Sequence, residues 1–112
     1  MKPVQWLGSS RADLKAFPGD ARRVAGFQLH LVQLGFEPND WKPLRSVGPG
    51  VREIRVHTGL EHRVVYVATF AEAVYVLHAF AKKRAKTAQR DVRVARARFE
   101  ALLAEKRGSH VS

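Results

Sequence analysis

Seven residues in the middle of this chain have the types and spacing needed to move protons and charge around a phosphate ester. They are Arg55 and His57 in "VREIRVHTG", His62 and Arg63 in "EHRVVY", and His78, Lys82 and Lys83 in "YVLHAFAKK". Histidine titrates near neutrality and so serves as acid or base. Arginine, with a pKa above ~12, holds phosphate through a planar fork of donors rather than trading protons. Such a set suffices to cleave RNA without a metal: a base takes the 2′-hydroxyl proton, cations stabilise the phosphorane, and an acid protonates the departing 5′-oxygen.

Each of these residues also has a plainer reading. Arg55 and Arg63 either brace a phosphate or pair with Glu53 and Glu61 as ordinary sheet residues. Lys82 and Lys83 are neighbours on an extended chain and point to opposite faces, so one of them enters a site while the other meets nucleic acid outside it. His78, among apolar neighbours, is either a site residue or a core histidine satisfied by the backbone. His57 and His62 are possible acid or base groups beside Arg55 and Arg63, and Glu53 reads better as an ion pair that orients an arginine than as a base. Lys42, Arg45, Lys86, Arg90, Arg93 and Arg96 form a candidate phosphate-facing surface, with a solvated helix face as the alternative for each of the last four. Trp6, Trp41, Tyr66 and Tyr75 read as packing residues. The turn "GPG" lacks the Lys and Ser/Thr of a phosphate-binding loop, and no histidine spacing fits a zinc motif, so neither a cofactor nor a metal is expected.

Periodicity supplies the framework that carries these groups. "PVQWL" reads as a short strand, followed by a helix over 10–17 with Ser9 or Ser10 as N-cap and Asp13 in its first turn. Pro18 and Gly19 interrupt, and a second helix over 18–34 carries Val24, Phe27, Leu31 and Leu34 as its apolar stripe, ending at Gly35. The Pro- and Gly-rich stretch 35–51 reads as loop. Three strands come next, over 51–57, 63–69 and 74–80, joined by connections short enough for antiparallel hairpins. Alternation sets Glu53, Arg55 and His57 opposite Ile54 and Val56, and Arg63 with Val65 and Val67. From Thr87 a basic amphipathic helix begins, with Ala88, Val92, Ala95, Phe99, Leu102 and Leu103 along one side. The class is α+β: an N-terminal strand, two helices, an antiparallel sheet and a C-terminal basic helix, in one domain over 1–107 with a frayed tail at 108–112.

Bulk properties agree with an anionic partner. Twenty Lys and Arg against ten Asp and Glu give a net charge of +10 in 112 residues, and residues 82–98 alone hold eight cations against Asp91. Nucleic acid is the leading partner class. There is no cysteine, hence no disulfide or thiolate metal site. The start of the chain does not read as a signal peptide and no apolar run is long enough to span a bilayer, so the expected location is cytoplasmic, away from membranes.

"VQWLGSS", "DLKAFP", "LVQLG", "WKPL", "GPGVREIR", "HRVVY" and "YVLHAFAKK" with "KT" behind it occur in an order and spacing that resembles the RelE/HigB superfamily of toxins from bacterial toxin–antitoxin pairs, in its phage-derived HigB-like branch. The resemblance implies a RelE-like fold and an mRNA interferase that cuts message at the ribosomal decoding site. It also implies neutralisation by a small cognate antitoxin, of helix-turn-helix type. On that reading Arg55, Arg63, His78, Lys82 and Lys83 belong to the catalytic site, and the remaining cations face ribosome and message. Two departures stand out: Ala88 replaces a proline after "KT", and Thr87, Ala88 and Gln89 offer no counterpart to the tyrosine that RelE proper carries there. The scaffold also admits a non-catalytic toxin of the gyrase-inhibitor type, and composition alone admits a plain nucleic-acid-binding module.

Overall fold

A computed structural model describes residues 1–108 of the chain. The elements run β1 (Val4–Trp6), α1 (Ser10–Lys15), α2 (Gly19–Gln33), β2 (Trp41–Pro43), β3 (Val51–His57), β4 (Glu61–Val67), β5 (Val74–Ala81) and α3 (Gln89–Gly108). The class is mixed α+β, as the periodicity implies, with two helices before the main strands and one after them. Gly108, expected in a tail, still belongs to α3; residues 109–112 lie outside the described residues.

The sheet differs from the expected antiparallel one in two ways. Its order is β1-β5-β4-β3-β2, with β1 parallel to β5 and the other pairs antiparallel, so the sheet is mixed. The parallel pair joins the first strand to the last, with α1, α2 and β2 to β4 between them in the chain, so β5 is laid beside β1 running the same way. The fifth strand, β2, comes from the stretch expected to be loop. Proline there is tolerated because β2 is an edge strand, whose outer side needs no N–H.

Helices cover both faces. Leu14, Ala21, Ala25, Leu29 and Val32 from α1 and α2 pack on Ile54, Val56, Val64, Tyr66, Val74 and Val76. Ala95, Phe99 and Leu102 from α3 pack on Val51, Val65, Val67 and Leu77 on the other side. The α3 stripe matches its expectation except at Ala88, which precedes the helix. The α2 stripe does not: the buried positions are Ala21, Ala25, Gln28, Leu29 and Val32, while Val24, Phe27 and Leu34 are 36%, 54% and 48% exposed. Small alanines let α2 lie close to the sheet, and that approach turns its large side chains outward.

Two backbone details set the direction of nearby side chains. A register shift between Val65 and Tyr66 pairs Tyr66 with Val76 but Val65 with His78, leaving Leu77 as an extra residue in β5. The bulge puts Leu77 and His78 successively on the α3 side, where strict alternation would have sent His78 under α1. At the end of α2, Gly35 adopts φ +91°, its N–H donates to the Val32 carbonyl and that of Phe36 to the Leu31 carbonyl. This pair of bonds is a Schellman C-cap, and it folds Phe36 back beside the outward stripe.

A candidate phosphate site at one end of the sheet

Because α3 covers only part of its face of the sheet, the far ends of β3 and β4 on that face carry polar residues. Lys42, Glu53, Arg55, His57, Glu61 and Arg63 share this face by register, Lys42 lying opposite Glu53, Arg55 opposite Arg63 and His57 opposite Glu61. The segment between β5 and α3 closes over it and supplies Lys82 and Thr87.

Glu53 is the centre of the arrangement. The sequence places it on a polar face, yet it is fully buried. Thr87 Oγ1 donates to its Oε2 at 2.8 Å, while Lys42 Nζ and Arg63 Nε lie 3.5 and 3.6 Å from Oε1. Lys42 and Arg63 thus share one carboxylate oxygen at ion-pair distance, with no hydrogen bond between Glu53 Oε1 and Arg63 Nε. Arg63 is itself buried, with Nη1 donating to Glu61 at 3.0 Å and to the His62 carbonyl at 2.9 Å. Arg55 is held at its edge by Asp40, 3.0 Å from Nε.

His57 is held between two carboxylates: Nδ1 lies 2.7 Å from Glu61 Oε1 and Nε2 lies 2.5 Å from Asp40 Oδ2. Only an imidazolium donates from both nitrogens, so the hydrogen bond to Glu61, then that to Asp40, raises the His57 pKa above its usual value. The same contact to His57 lowers the Glu61 carboxyl. Lys82 goes the other way. Desolvation comes first, and the charges of Arg63, Lys42 and Arg55 add to it, lowering its pKa against the opposing pull of Glu53. Geometry puts Lys82 just past β5 beside this end of the sheet, where its backbone N–H donates to the Glu61 carbonyl at 2.8 Å.

The other candidates are distributed elsewhere. Lys83 is exposed and joins Lys82, Arg84, Lys86, Arg90 and Asp91 around a recess of about 390 Å³. His62 pairs in register with Val56 and Ala81, on the opposite face from Arg63, with its ring 4.4 Å from that of Phe17. Adjacent strand residues alternate faces, so His62 is carried away from the face that holds Arg63, and burial lowers its pKa. His78 Nε2 lies 2.8 Å from Asp91 Oδ1 on α3 and its ring stacks on Phe80 of its own strand at 5.0 Å, away from the Glu53 cluster. Arg96 donates to the Ser46 carbonyl and ties α3 to the loop beyond β2, while Arg45, Arg90 and Arg93 are exposed. Asp40, Thr87 and Asp91 are partners that the pattern of cations does not reveal. Asp91 had a signal, as the lone acid in a run of eight cations; Asp40 and Thr87 had none short of the fold.

The chain matches the family model described as phage derived protein Gp49-like over residues 12–100. The chain belongs to this Gp49-like family. The family lies within the RelE/toxin-like group, so the resemblance carried by the motifs stands at that level. The matched span of this Gp49-like chain takes in Glu53, Arg55, Arg63, His78 and Lys82. No curated protein matches it. Among the described residues no group of histidines and carboxylates is arranged to hold a metal ion, and no helix is long and apolar enough to cross a membrane.

Proposed function

We propose that this Gp49-like protein is the toxin of a toxin–antitoxin pair and acts as a ribosome-dependent mRNA endoribonuclease, neutralised by a cognate antitoxin. The observation that carries the reading is the gathering of Lys42, Arg55 and Arg63 on one polar sheet end, with Glu53 buried between Lys42 and Arg63 and Lys82 beginning beside Glu61. Fixed cations aimed at one place are what a phosphorane needs, because they lose no reorganisation energy as its charge develops. Arg63 and Lys82 hold the scissile phosphate. Arg55 and Lys42 guide the flanking backbone. His57, whose pKa is raised by its hydrogen bonds to Glu61 and Asp40, is the acid for the 5′-oxygen, and the 2′-hydroxyl proton passes to solvent water. Lys83, Lys86, Arg90 and Arg93 extend the charged surface over ribosomal RNA.

The test is to induce the protein in bacteria and map new 5′ ends on translated messages, for wild type, Lys82→Ala and Arg63→Ala. New cuts are expected for wild type and are lost in both variants. Lys82 is only half-buried, so Lys82→Ala keeps the fold and guards against a false negative from Arg63→Ala. Toxicity without new cuts overturns the nuclease reading, and stalled DNA supercoiling would turn it to a gyrase inhibitor. Cutting that persists with translation blocked removes the ribosome from it.

A further inference from the structure

The outside of α2, away from the phosphate site, carries an apolar surface. Val24, Phe27, Leu31 and Leu34 succeed one another at three-, four- and three-residue steps, the spacing of one seam of a helix pair. Phe27, Leu34 and Phe36 are 54%, 48% and 64% exposed, and the C-cap at Gly35 brings Phe36 to the end of the row. There Leu34 and Phe36 also line a cavity of about 570 Å³, whose walls include Lys2 and Arg52. The row therefore does not fade into solvent but runs into a hollow with cations at its rim.

We propose that this surface is the docking site for an acidic amphipathic helix of a partner protein, laid along α2 with its last turn at the cavity. The spacing calls for a helix rather than a strand, since large side chains at these steps leave holes for the knobs of a facing helix. The charge calls for an acidic one. Helical periodicity puts Arg23 along one margin of the row and the acid Asp20 at its start, one turn before Val24, while Lys2 and Arg52 stand at its end, Arg52 shared with Glu37 at 3.6 Å. A second copy of the chain would bring a net charge of +10 against another +10, a repulsion that an acidic partner turns into attraction. The surface lies outward of α2, across the sheet from Glu53, so its occupation is independent of the phosphate site.

The probe is a synthetic helical peptide of about three heptads with Leu at the two core positions and Glu at the flanking ones, compared with the same peptide carrying Lys there. Binding is followed by backbone amide shifts in the full-length protein. The Glu peptide is expected to move the amides of α2, Leu34, Phe36 and Arg52, and Phe27→Ser is expected to weaken it by at least about tenfold. Because Phe27 is more than half exposed, that variant retains its fold. Lys82→Ala should leave the peptide's affinity intact, and Phe27→Ser should leave message cutting intact, so failure of the docking proposal and failure of the nuclease reading are separate results. The proposal is overturned if the Glu peptide does not bind, if the Lys peptide binds as well, or if the shifts gather on residues 82–96 instead of α2. It is also overturned if the chain alone forms a concentration-dependent dimer that Phe27→Ser abolishes, because the occupant is then a second copy.

Discussion

At the scale of single residues, His57 and His62 show how one residue type acquires opposite behaviour. His57, with carboxylates on both nitrogens, has a raised pKa, so the stability it contributes is complete below its unfolded value and is lost as pH rises through the folded one. His62 is buried against Phe17 and its pKa is lowered. The unfolded chain binds that proton more readily, and the fold loses stability as pH falls below the unfolded value. Urea unfolding between about pH 5 and pH 8 should therefore show His57→Gln losing stability chiefly on the acid side. His62→Leu should lessen the acid-side loss. Glu53 is a sharper case. Glu53→Ala leaves buried Arg63 without its central carboxylate and should destabilise by about 3 kcal/mol, read from the urea midpoint. A fully functional, equally stable Glu53→Ala protein would remove Glu53 from its orienting role.

At the scale of elements, the site depends on how β5 and α3 meet. The bulge in β5 turns His78 toward Asp91 in the first turn of α3, and Arg98 farther along that helix donates to the Leu77 carbonyl at 2.9 Å and to Ser9 Oγ at 3.0 Å. These bonds fix where α3 begins, and with it the segment that carries Lys82 and Thr87. His78→Ala should cost about 2 kcal/mol, the order of leaving a buried Asp91 without its donor, measured by thermal or urea unfolding. A His78→Ala protein that unfolds like wild type but no longer cuts would assign His78 to the chemistry instead. Gly8 serves the same junction. It sits at φ +56° and a Cβ there would come within 2.4 Å of the Arg98 guanidinium, so Gly8→Ala should destabilise by at least about 1 kcal/mol through backbone and crowding together.

For the whole molecule, the charge distribution and the sheet give it two unlike sides: cations around Glu53 and along the start of α3, and an apolar row along α2. RNA affinity should fall steeply with salt, at a slope of about 0.7 per phosphate neutralised on a single strand. Lys82→Ala should reduce that slope by roughly one contact's worth, while Phe27→Ser leaves it unchanged. Fluorescence anisotropy of a labelled RNA across a salt series measures both, and a slope insensitive to Lys82 would take it out of the phosphate contacts.

Whatever depends on local periodicity was legible in the amino-acid sequence. The strand around Arg55, the alternation that separates Ile54 from Glu53, the buried side of α3 and the cationic run from Lys82 all belong to this class, because a period of two or 3.6 is a property of neighbouring residues. Features that rest on contacts between distant segments waited for the fold. Packing on both sides of the sheet set His62 and Arg63 in different surroundings, and it left Lys82 half-buried while Lys83 faces solvent. Through one extra residue in β5 it turned His78 to α3. It also reversed the sides of α2, where a row of large apolar residues looked like core until Ala21 and Ala25 proved to be the side chains small enough for close approach to the sheet. Periodicity shows that a helix has two sides, but which one is buried depends on the shape of what it packs against.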